Sequence, residues 1–174
     1  MIKYIRGIFT EIHMRLRKLK KDDAPFMLEW MHDTDVVENM STNFAHKTLE
    51  NCLNFIELAQ NEKENLHLAV TDDNDEYMGT VSLKNITETD AEFAITIRKL
   101  AMGKGYSKFG MSEIIRIGFE DKKLHDIYWC VSPKNKRAVR FYDKNGYQRT
   151  EPYEKCRGYS QEQLRNYIWY KIQR

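Results

Sequence analysis

The chain has 174 residues, of which 41% are hydrophobic and 12% aromatic, and its formal net charge is +2. This length and composition predict one globular domain over residues 1–174 and argue against an intrinsically disordered chain. The near-neutral charge gives no reason to expect nucleic acid or a membrane surface as a partner, and no apolar run is long enough to span a bilayer.

The cysteines point to a reducing compartment. Cys52, Cys130 and Cys156 are odd in number, stand far apart and lie outside any C-x-x-C spacing. Such thiols are typical of reduced proteins. Residues 1–13 carry charges within every apolar window, so we expect no signal peptide. The sequence therefore predicts a cytoplasmic protein.

The first third of the chain predicts a strand and two helices. Residues 1–13 form an extension, either an extra strand or a loose arm, and a strand follows at Met14–Leu19. The basic residues of this strand indicate a solvated face, because the aromatic residues needed for base stacking are missing. Pro25 marks the first turn of a helix, residues 33–46 are irregular, and an amphipathic helix covers residues 48–61.

The middle of the chain predicts an antiparallel meander. Strands at Leu66–Thr71 and Tyr77–Ile86 are joined by the acidic turn Asp72–Asp75. This turn lacks the glycine and the distal glutamate of an EF-hand loop, so we expect no metal there. The central strand Glu92–Ile97 follows, with the period-2 pattern of a sheet that has two unlike faces.

A glycine loop, Gly103-Lys104-Gly105, separates the central strand from a helix that extends to about residue 121. The unpaired N–H groups and the dipole at such a helix start suit a phosphate. The spacing is neither that of a nucleoside-triphosphate loop nor G-x-G-x-x-G, because Lys108 stands where the third glycine should be. Taken alone, the loop is equally well explained as a turn.

The last third of the chain predicts a buried strand, a capped helix and two further strands. Asp126–Val131 is a continuous apolar run. Asn135 is placed to cap a helix that Asn145-Gly146 ends in left-handed backbone. The final strands are expected at Tyr147–Tyr153 and Asn166–Ile172. This order predicts an α/β fold, with a mixed sheet and helices on both faces.

Two stretches, GKGYSKFGMSEII at residues 103–115 and NKRAVRFYDKNGY at residues 135–147, resemble the acyl-CoA site of the GNAT N-acyltransferases. The start RLRKLKKDDAPFMLEWMHD is similar to the RimJ/RimL-like branch, so the resemblance runs from about Met14 to the C-terminus. One departure is Leu100, where many GNAT loops carry Gln or Arg. The resemblance implies a GNAT fold, whose mostly antiparallel mixed sheet splays into a notch for acyl-CoA, and acetyl-CoA as co-substrate.

The resemblance also implies how acetyl-CoA binds. The pantetheine arm would pair with the backbone of the central strand, and the pyrophosphate would lie on the glycine loop. Lysine side chains around the loop and the second motif would meet the phosphates. The implied cofactor-binding residues are Ile95, Thr96, Ile97, Met102, Gly103, Lys104, Gly105, Tyr106, Ser107, Asn135, Tyr142 and Lys144.

Acetyl transfer to an amine needs a neutral nucleophile, a polarised carbonyl and a proton for the leaving thiolate. No Ser/His/Asp or Cys/His set is visible and the five histidines lack metal-ligand spacing, so we expect direct attack in a ternary complex without metal. The resemblance implies Tyr142 as the acid and Glu92 as the base, and the backbone N–H of Ile97 or a neighbour is expected to polarise the carbonyl. Without the resemblance, Tyr142 is explained as a core tyrosine and Glu92 as an exposed strand residue. Glu38 is a reserve base.

The acceptor amine is expected to contact residues 26–44. Aromatic rings there suit a sugar ring or an apolar group, and carboxylates would attract a cationic amine. The bulk of Trp30 and Phe44 favours a closed pocket, and therefore a small-molecule amine such as an amino sugar. The expected substrate-binding residues are Phe26, Trp30, Glu38, Asn39 and Phe44, with the carboxylates of Glu29, Asp33 and Asp35 beside them.

Other functions stay open at this stage. The chain is alternatively an N-terminal acetyltransferase that acts on a (ribosomal) protein, or a non-catalytic acyl-CoA-binding sensor. A nucleic-acid-binding module built on the basic first strand is a third possibility, and it predicts salt-sensitive retention on DNA or RNA. For the enzyme we expect a monomer or a homodimer.

Overall fold

A sheet of seven strands forms the centre of the protein in a computed structural model that describes residues 2–5, 8–11, 13–153, 156 and 158–174. The described strands are β1 (Ile2–Ile5), β2 (Ile8–Glu11), β3 (Arg15–Lys18), β4 (Leu66–Thr71), β5 (Tyr77–Lys84), β6 (Asp90–Ile97), β7 (Asp126–Val131), β8 (Arg149–Thr150) and β9 (Ile168–Gln173). The sheet order is β3-β4-β5-β6-β7-β9-β8, and β1 pairs with β2 in a separate hairpin.

The sheet is mixed and mostly antiparallel, as the sequence predicts. Among the described strand pairs, β6 and β7 alone run parallel. A parallel pair needs a long crossover connection, and residues 98–125 supply it with a helix. The central strand therefore has one antiparallel edge towards β5 and one parallel edge towards β7.

Helices cover both faces of the sheet, as predicted. They are α1 (Ala24–Met31), α2 (Thr34–Val37), α3 (Leu49–Leu58), α4 (Tyr106–Glu120), α5 (Lys136–Lys144) and α6 (Gln161–Asn166), with 3-10 turns at Lys21–Asp23 and Lys99–Ala101. One hydrophobic cluster joins α4 and α5 to the sheet, and a second joins α1, α2 and α3 to the opposite face. Of the described helices, none combines the length and the apolar character that crossing a bilayer requires.

Helix α4 lies close to the sheet because glycines face the strands. A Cβ on Gly118 would approach Ile127 Cδ1 to 2.7 Å, and a Cβ on Gly110 would approach Val70 Cγ2 to 3.0 Å. Both distances are shorter than ordinary van der Waals contact. The close packing holds the first turn of α4 at the end of β6, where the glycine loop ends.

Local patterns in the sequence predict several elements correctly. Strands β4 and β7 have the predicted bounds, and Asn135 caps α5 by accepting a hydrogen bond from Ala138 N at 3.1 Å. Helix α5 ends in left-handed backbone at Gly146, with φ of 80°. The described part of the extension contains the paired strands β1 and β2, which fits the first of its two predicted alternatives, an extra strand or a loose arm.

Tyr147 does not begin the strand that the sequence predicts at Tyr147–Tyr153. Its N–H donates to the Tyr142 carbonyl at 3.2 Å, and the Gly146 N–H donates to the Asp143 carbonyl at 3.1 Å. These two bonds are a Schellman motif, so Tyr147 belongs to the end of α5. Strand β8 is accordingly only two residues long, at Arg149–Thr150.

Two helices were not predicted. Helix α2 lies in the segment expected to be irregular, and it starts where the Asp33 side chain accepts from Asp35 N at 3.0 Å. Helix α6 starts with a capping box, in which Ser160 Oγ accepts from Gln163 N at 3.1 Å and Gln163 returns a bond to Ser160 N. The strand expected from Asn166 therefore starts later, at Ile168. Both helices are short, and side-chain caps rather than apolar periodicity define them.

Candidate active site

The central strand β6 loses its parallel neighbour halfway along its length. Asp90, Ala91 and Glu92 pair with residues of β7, and the described pairing ends there. On the other edge, β6 stays paired with β5 as far as Ile97, and Arg98 N donates to Met78 O at 2.9 Å. The two strands therefore splay apart after Glu92, as the resemblance implies.

The splay leaves peptide groups of β6 facing a gap. Residues of an antiparallel ladder turn their N–H and C=O groups alternately to the two edges of the strand. Since Arg98 bonds towards β5, the N–H and C=O groups of Ile95 and Ile97 point towards the gap. They form a free strand edge on which an extended ligand can pair.

A cleft of about 320 Å³, called here the gap cleft, lies against this free edge. Such a volume is within the range of about 300–1,000 Å³ that is typical of ligand pockets. The gap cleft is lined by Val36, Met40, Ile95, Thr96, Ile97, Met102, Gly103, Ser107, Asn135, Arg137, Ala138, Phe141 and Tyr142. Most of the residues that the resemblance implies for cofactor binding are thus brought together.

The remaining predicted cofactor residues lie outside the lining of the gap cleft. Lys104 and Gly105 belong to the loop between Gly103 and α4. The Tyr106 side chain is buried in the core cluster. Lys144 is exposed at the end of α5.

The N-terminus of α4 points at the same cleft through Gly103 and Ser107. Gly103 and Gly105 have left-handed backbone, with φ of 74° and 95°. The Gly105 carbonyl accepts the first helical hydrogen bond, from Phe109 N at 3.0 Å. The N–H groups of the first turn have no carbonyl one turn back, so they are available to an anion.

Several residues that line the gap cleft were missed in the sequence, among them Val36, Met40 and Arg137. Val36 and Met40 come from α2 and the turn after it, in a segment where no periodicity indicates a wall. Arg137 lies inside the NKRAVRFYDKNGY motif, and its Nη2 donates to the Asp35 carbonyl at 3.4 Å. That bond ties α5 to α2 across the cleft and places a guanidinium in its lining.

Tyr142 is buried on the cleft wall, with 7% of its surface exposed. Its ring centroid lies 5.3 Å from that of Trp129 and 5.1 Å from that of Tyr170. Within the described part of the chain, no group hydrogen-bonds to its hydroxyl. Burial raises the pKa of Tyr142, so the phenol keeps its proton. It is a proton donor without a protein acceptor, at the wall of a cleft.

The Glu92 side chain lies on the same face of β6 as those of Ala94 and Thr96, because side chains alternate between the two faces along a strand. Its carboxylate pairs with Lys84 Nζ at 2.6 Å and accepts from Asn85 Nδ2 at 3.1 Å. It is 7% exposed, in contrast to the exposed strand residue considered above. The polar cavity around it measures about 450 Å³ and is lined by Ser41, Lys84, Asn85, Glu92, Cys130, Gly158, Tyr159, Gln163 and Tyr167.

A third cavity, the aromatic cavity, lies between α1, α3 and the sheet face formed by β4, β5 and β6. It measures about 400 Å³ and is lined by Met27, Trp30, Met31, Thr42, Phe44, Lys47, Asn51, Phe55, His67, Thr80, Ser82, Lys84, Ala94, Ile95 and Thr96. Ile95 and Thr96 also line the gap cleft, and Lys84 also lines the polar cavity. The aromatic cavity therefore adjoins the gap cleft at the central strand β6 and the polar cavity at the end of β5.

Trp30 and Phe44 are the predicted acceptor residues that the aromatic cavity contains. Their rings pack edge to face with centroids 5.2 Å apart. Trp30 is further held by a hydrogen bond from its Nε1 to the Tyr77 hydroxyl at 3.1 Å. The two rings form a fixed wall on the α1 side of the cavity.

The other predicted acceptor residues make contacts elsewhere. Phe26 packs against the Arg98 guanidinium, 4.4 Å from its ring centroid. Glu38 accepts a hydrogen bond from the neighbouring Asn39 at 3.0 Å. The carboxylates expected to attract a cationic amine are also engaged: Glu29 pairs with Arg98 at 2.7 Å, and Asp33 and Asp35 face Lys99.

His67 lines the aromatic cavity and was not singled out in the sequence. Its Nδ1 lies 2.7 Å from Ser82 Oγ, and its ring packs edge to face on Phe55 with centroids 4.8 Å apart. Burial, together with the positive charge of Lys84, lowers the pKa of His67 to about 4. The imidazole is therefore neutral at neutral pH, and it is a hydrogen-bonding group rather than a cation.

The lowered pKa of His67 predicts a loss of stability in acid. An unfolded histidine has a pKa of about 6.5, so between about pH 6.5 and pH 4 the unfolded chain binds a proton that the folded chain does not. The stabilisation is present above pH 6.5 and is lost as the pH falls towards 4. When the pH falls from 7.5 to 4.5, the unfolding free energy of the wild type should fall by about 2 kcal/mol more than that of His67→Gln. This figure is already reduced because His67 is partly exposed to solvent.

Urea unfolding at pH 7.5, 5.5 and 4.5 measures this difference. His46→Gln is the matched control, because that histidine is exposed and its side chain forms no hydrogen bond or ion pair within the described chain. Parallel pH profiles for wild type and His67→Gln would contradict the prediction.

Comparison with known proteins agrees with this geometry. The domain family described as "Acetyltransferase (GNAT) domain" matches residues 13–148. Acetyltransferase PseH of Campylobacter jejuni (serotype O:23/36, strain 81-176) is 23% identical over 128 residues, which cover 74% of this chain and 78% of that protein. Spermidine N(1)-acetyltransferase of Vibrio cholerae is 26% identical over 142 residues, which cover 77% of this chain and 78% of that protein.

A solved structure shares the fold at low sequence identity. The crystal structure of spermidine N-acetyltransferase from Vibrio cholerae, in complex with CoA and spermine, has a TM-score of 0.75 and 20% identity. The match covers 92% of this chain and 95% of that one. The expected architecture, a mostly antiparallel mixed sheet between helices, is thereby confirmed.

Proposed function

Because this chain belongs to the GNAT family of acetyltransferases, we propose that it transfers the acetyl group of acetyl-CoA to the primary amine of a small molecule in the aromatic cavity. The observation that carries the proposal is the central strand itself. Its free edge borders the gap cleft, and its residues Ile95 and Thr96 line both that cleft and the aromatic cavity. A thioester in the first and an amine in the second would meet across one strand.

Acetyl-CoA is the co-substrate, and the gap cleft is its site in this proposal. The peptide groups of Ile95 and Ile97 pair with the pantetheine arm, and the first turn of α4 binds the pyrophosphate. Arg137 adds positive charge inside the cleft, and Lys104 and Lys144 add it outside. A solved relative with the same fold, the Vibrio cholerae spermidine N-acetyltransferase, is described in complex with CoA.

The reaction is a direct transfer within a ternary complex. The amine nitrogen bonds to the acetyl carbon, and the bond from that carbon to sulfur breaks. The Ile97 N–H polarises the carbonyl, Glu92 takes the proton of the amine directly or through water, and Tyr142 gives its proton to the leaving thiolate. Glu92 fits the role of base because it lies on the face of β6 that borders the aromatic cavity through Ala94 and Thr96.

A small acceptor is favoured by the walls of the aromatic cavity. Trp30 and Phe44 close the α1 side, and Phe55 and Asn51 of α3 line the cavity with them. A protein N-terminus would need an open groove for an extended chain. Relatives named for spermidine also act on a small amine. We propose an amino sugar as the acceptor. We also propose that the protein belongs to the RimJ/RimL-like branch of the family.

The proposal is tested by thiol release from acetyl-CoA with amino sugars, spermidine and N-terminal peptides as acceptors. We expect an amino sugar to exceed every peptide by at least tenfold in kcat/KM. A tenfold advantage for peptides would make the protein an N-terminal acetyltransferase. Calorimetric binding of acetyl-CoA without thiol release on any amine would make it a sensor.

We further propose that the enzyme works in the cytoplasm, as a monomer or a homodimer. Cys52, Cys130 and Cys156 are all free thiols. Unpaired cysteines are typical of proteins kept in a reducing compartment.

A further inference from the structure

The described acidic and basic side chains that line the aromatic cavity are all basic. Among the described residues that line it, Lys47, His67 and Lys84 can carry positive charge, and no aspartate or glutamate is present. Lys84 is paired with Glu92 at 2.6 Å, and His67 is neutral. Lys47 is exposed and forms no ion pair within the described chain. The cavity therefore offers an uncompensated ammonium group to its ligand.

Carboxylates near the aromatic cavity do not cancel its positive charge, because they are paired with other cations. Glu29 is fixed by Arg98, and Asp35 is fixed by Lys99 at the start of the loop after β6. Glu92, the one carboxylate among the described residues that line the adjoining polar cavity, is held by Lys84. A ligand with a second ammonium group would meet lysine side chains, and the described residues that line the aromatic cavity include no carboxylate to neutralise it.

We propose that the acceptor is a monoamine that also carries an anionic group, a phosphate or a carboxylate, and that Lys47 binds this group. The inference rests on the proposed function and narrows its substrate class. The body of the acceptor lies against Trp30, Phe44 and Phe55, whose flat rings suit a sugar or an aromatic ring. Polyamines, which the name of one relative implies for that relative, do not suit this cavity.

Binding to the protein saturated with CoA tests the inference without depending on turnover. Isothermal titration compares two matched pairs of probes: glucosamine 6-phosphate with glucosamine, and tyrosine with tyramine. The first pair isolates a phosphate and the second a carboxylate. We expect the anionic member of at least one pair to bind about tenfold more tightly than its partner, and spermidine to bind more weakly than that member.

Lys47 is tested by substitution. Lys47→Gln should reduce the preference within the responding pair to about twofold, and Lys47→Glu should reverse it in favour of spermidine. Lys63→Gln is the matched control, because Lys63 is exposed and lies outside all three cavities. This control should keep the full preference for the anionic probe.

The outcomes separate this inference from the proposed function. If neither anionic probe binds more tightly than its neutral partner, or if spermidine binds best to the wild type, the anionic-acceptor inference is wrong. A preference that survives in Lys47→Gln would also overturn it. Thiol release with any amine in parallel assays would leave the acetyltransferase proposal standing in each of these cases.

Discussion

The Tyr142→Phe variant should lose about 10²–10⁴-fold in kcat, because it lacks the proton that the leaving thiolate needs. The hydroxyl is at the wall of the gap cleft, it has no hydrogen-bond partner among the described residues, and burial raises its pKa. A phenylalanine keeps the ring contacts with Trp129 and Tyr170. The affinity for acetyl-CoA and the unfolding free energy should therefore change little.

Steady-state kinetics and calorimetric titration with acetyl-CoA measure these two effects separately. Tyr147→Phe is the matched control: its ring lies 5.3 Å from that of Trp129 in the same aromatic cluster, but it does not line the gap cleft. This control should retain nearly full turnover. Turnover near the wild-type rate in Tyr142→Phe would show that Tyr142 is a core residue without a role in proton transfer.

The Gly105→Val variant should bind acetyl-CoA about 10²-fold more weakly. Gly105 has φ of 95°, which a β-branched residue adopts only with strain, and it precedes the N–H groups of the first turn of α4. Loss of one or two charge-assisted hydrogen bonds to phosphate, each contributing about 1.5–3 kcal/mol, accounts for a change of that size.

The strain itself needs a control, because left-handed backbone costs an ordinary residue about 1–2 kcal/mol of stability. Gly146→Val provides it: Gly146 has φ of 80°, lies at the end of α5, and has open space where a Cβ would stand. Both variants should be destabilised in thermal unfolding, but only Gly105→Val should lose affinity in calorimetry. If both variants bind acetyl-CoA as tightly as the wild type, the prediction that the N-terminus of α4 binds the pyrophosphate is wrong.

The elements that were predicted well depend on interactions between residues close in sequence. The cap of α5 joins Asn135 to Ala138, and its end joins Tyr142 to Tyr147. The apolar run of β7 and the alternation of β6 are also local patterns. The gap cleft is built mainly from the loop before α4, from α5 and from β6, and eight of its thirteen lining residues were predicted through the family resemblance.

The elements that were missed lack such a pattern. Helices α2 and α6 have four and six residues, too few for an apolar period to be recognised. The strand expected at Tyr147 was lost to a helix-ending motif that uses its N–H group. In each case a hydrogen bond to a cap or carbonyl decided between two structures of similar local propensity.

The sequence by itself determined the family, through two motifs that resemble the acyl-CoA site, and the local elements that line the gap cleft. These elements depend on capping, turns and periodicity over a few residues. Only the tertiary structure decided the character of the acceptor cavity. Arg98 pairs with Glu29, which is 69 positions away, and Lys99 pairs with Asp35, so two of the carboxylates expected to attract an amine are neutralised after packing. Which charges remain free depends on contacts between distant segments, because a pairing partner is set by position in space and not by spacing along the chain.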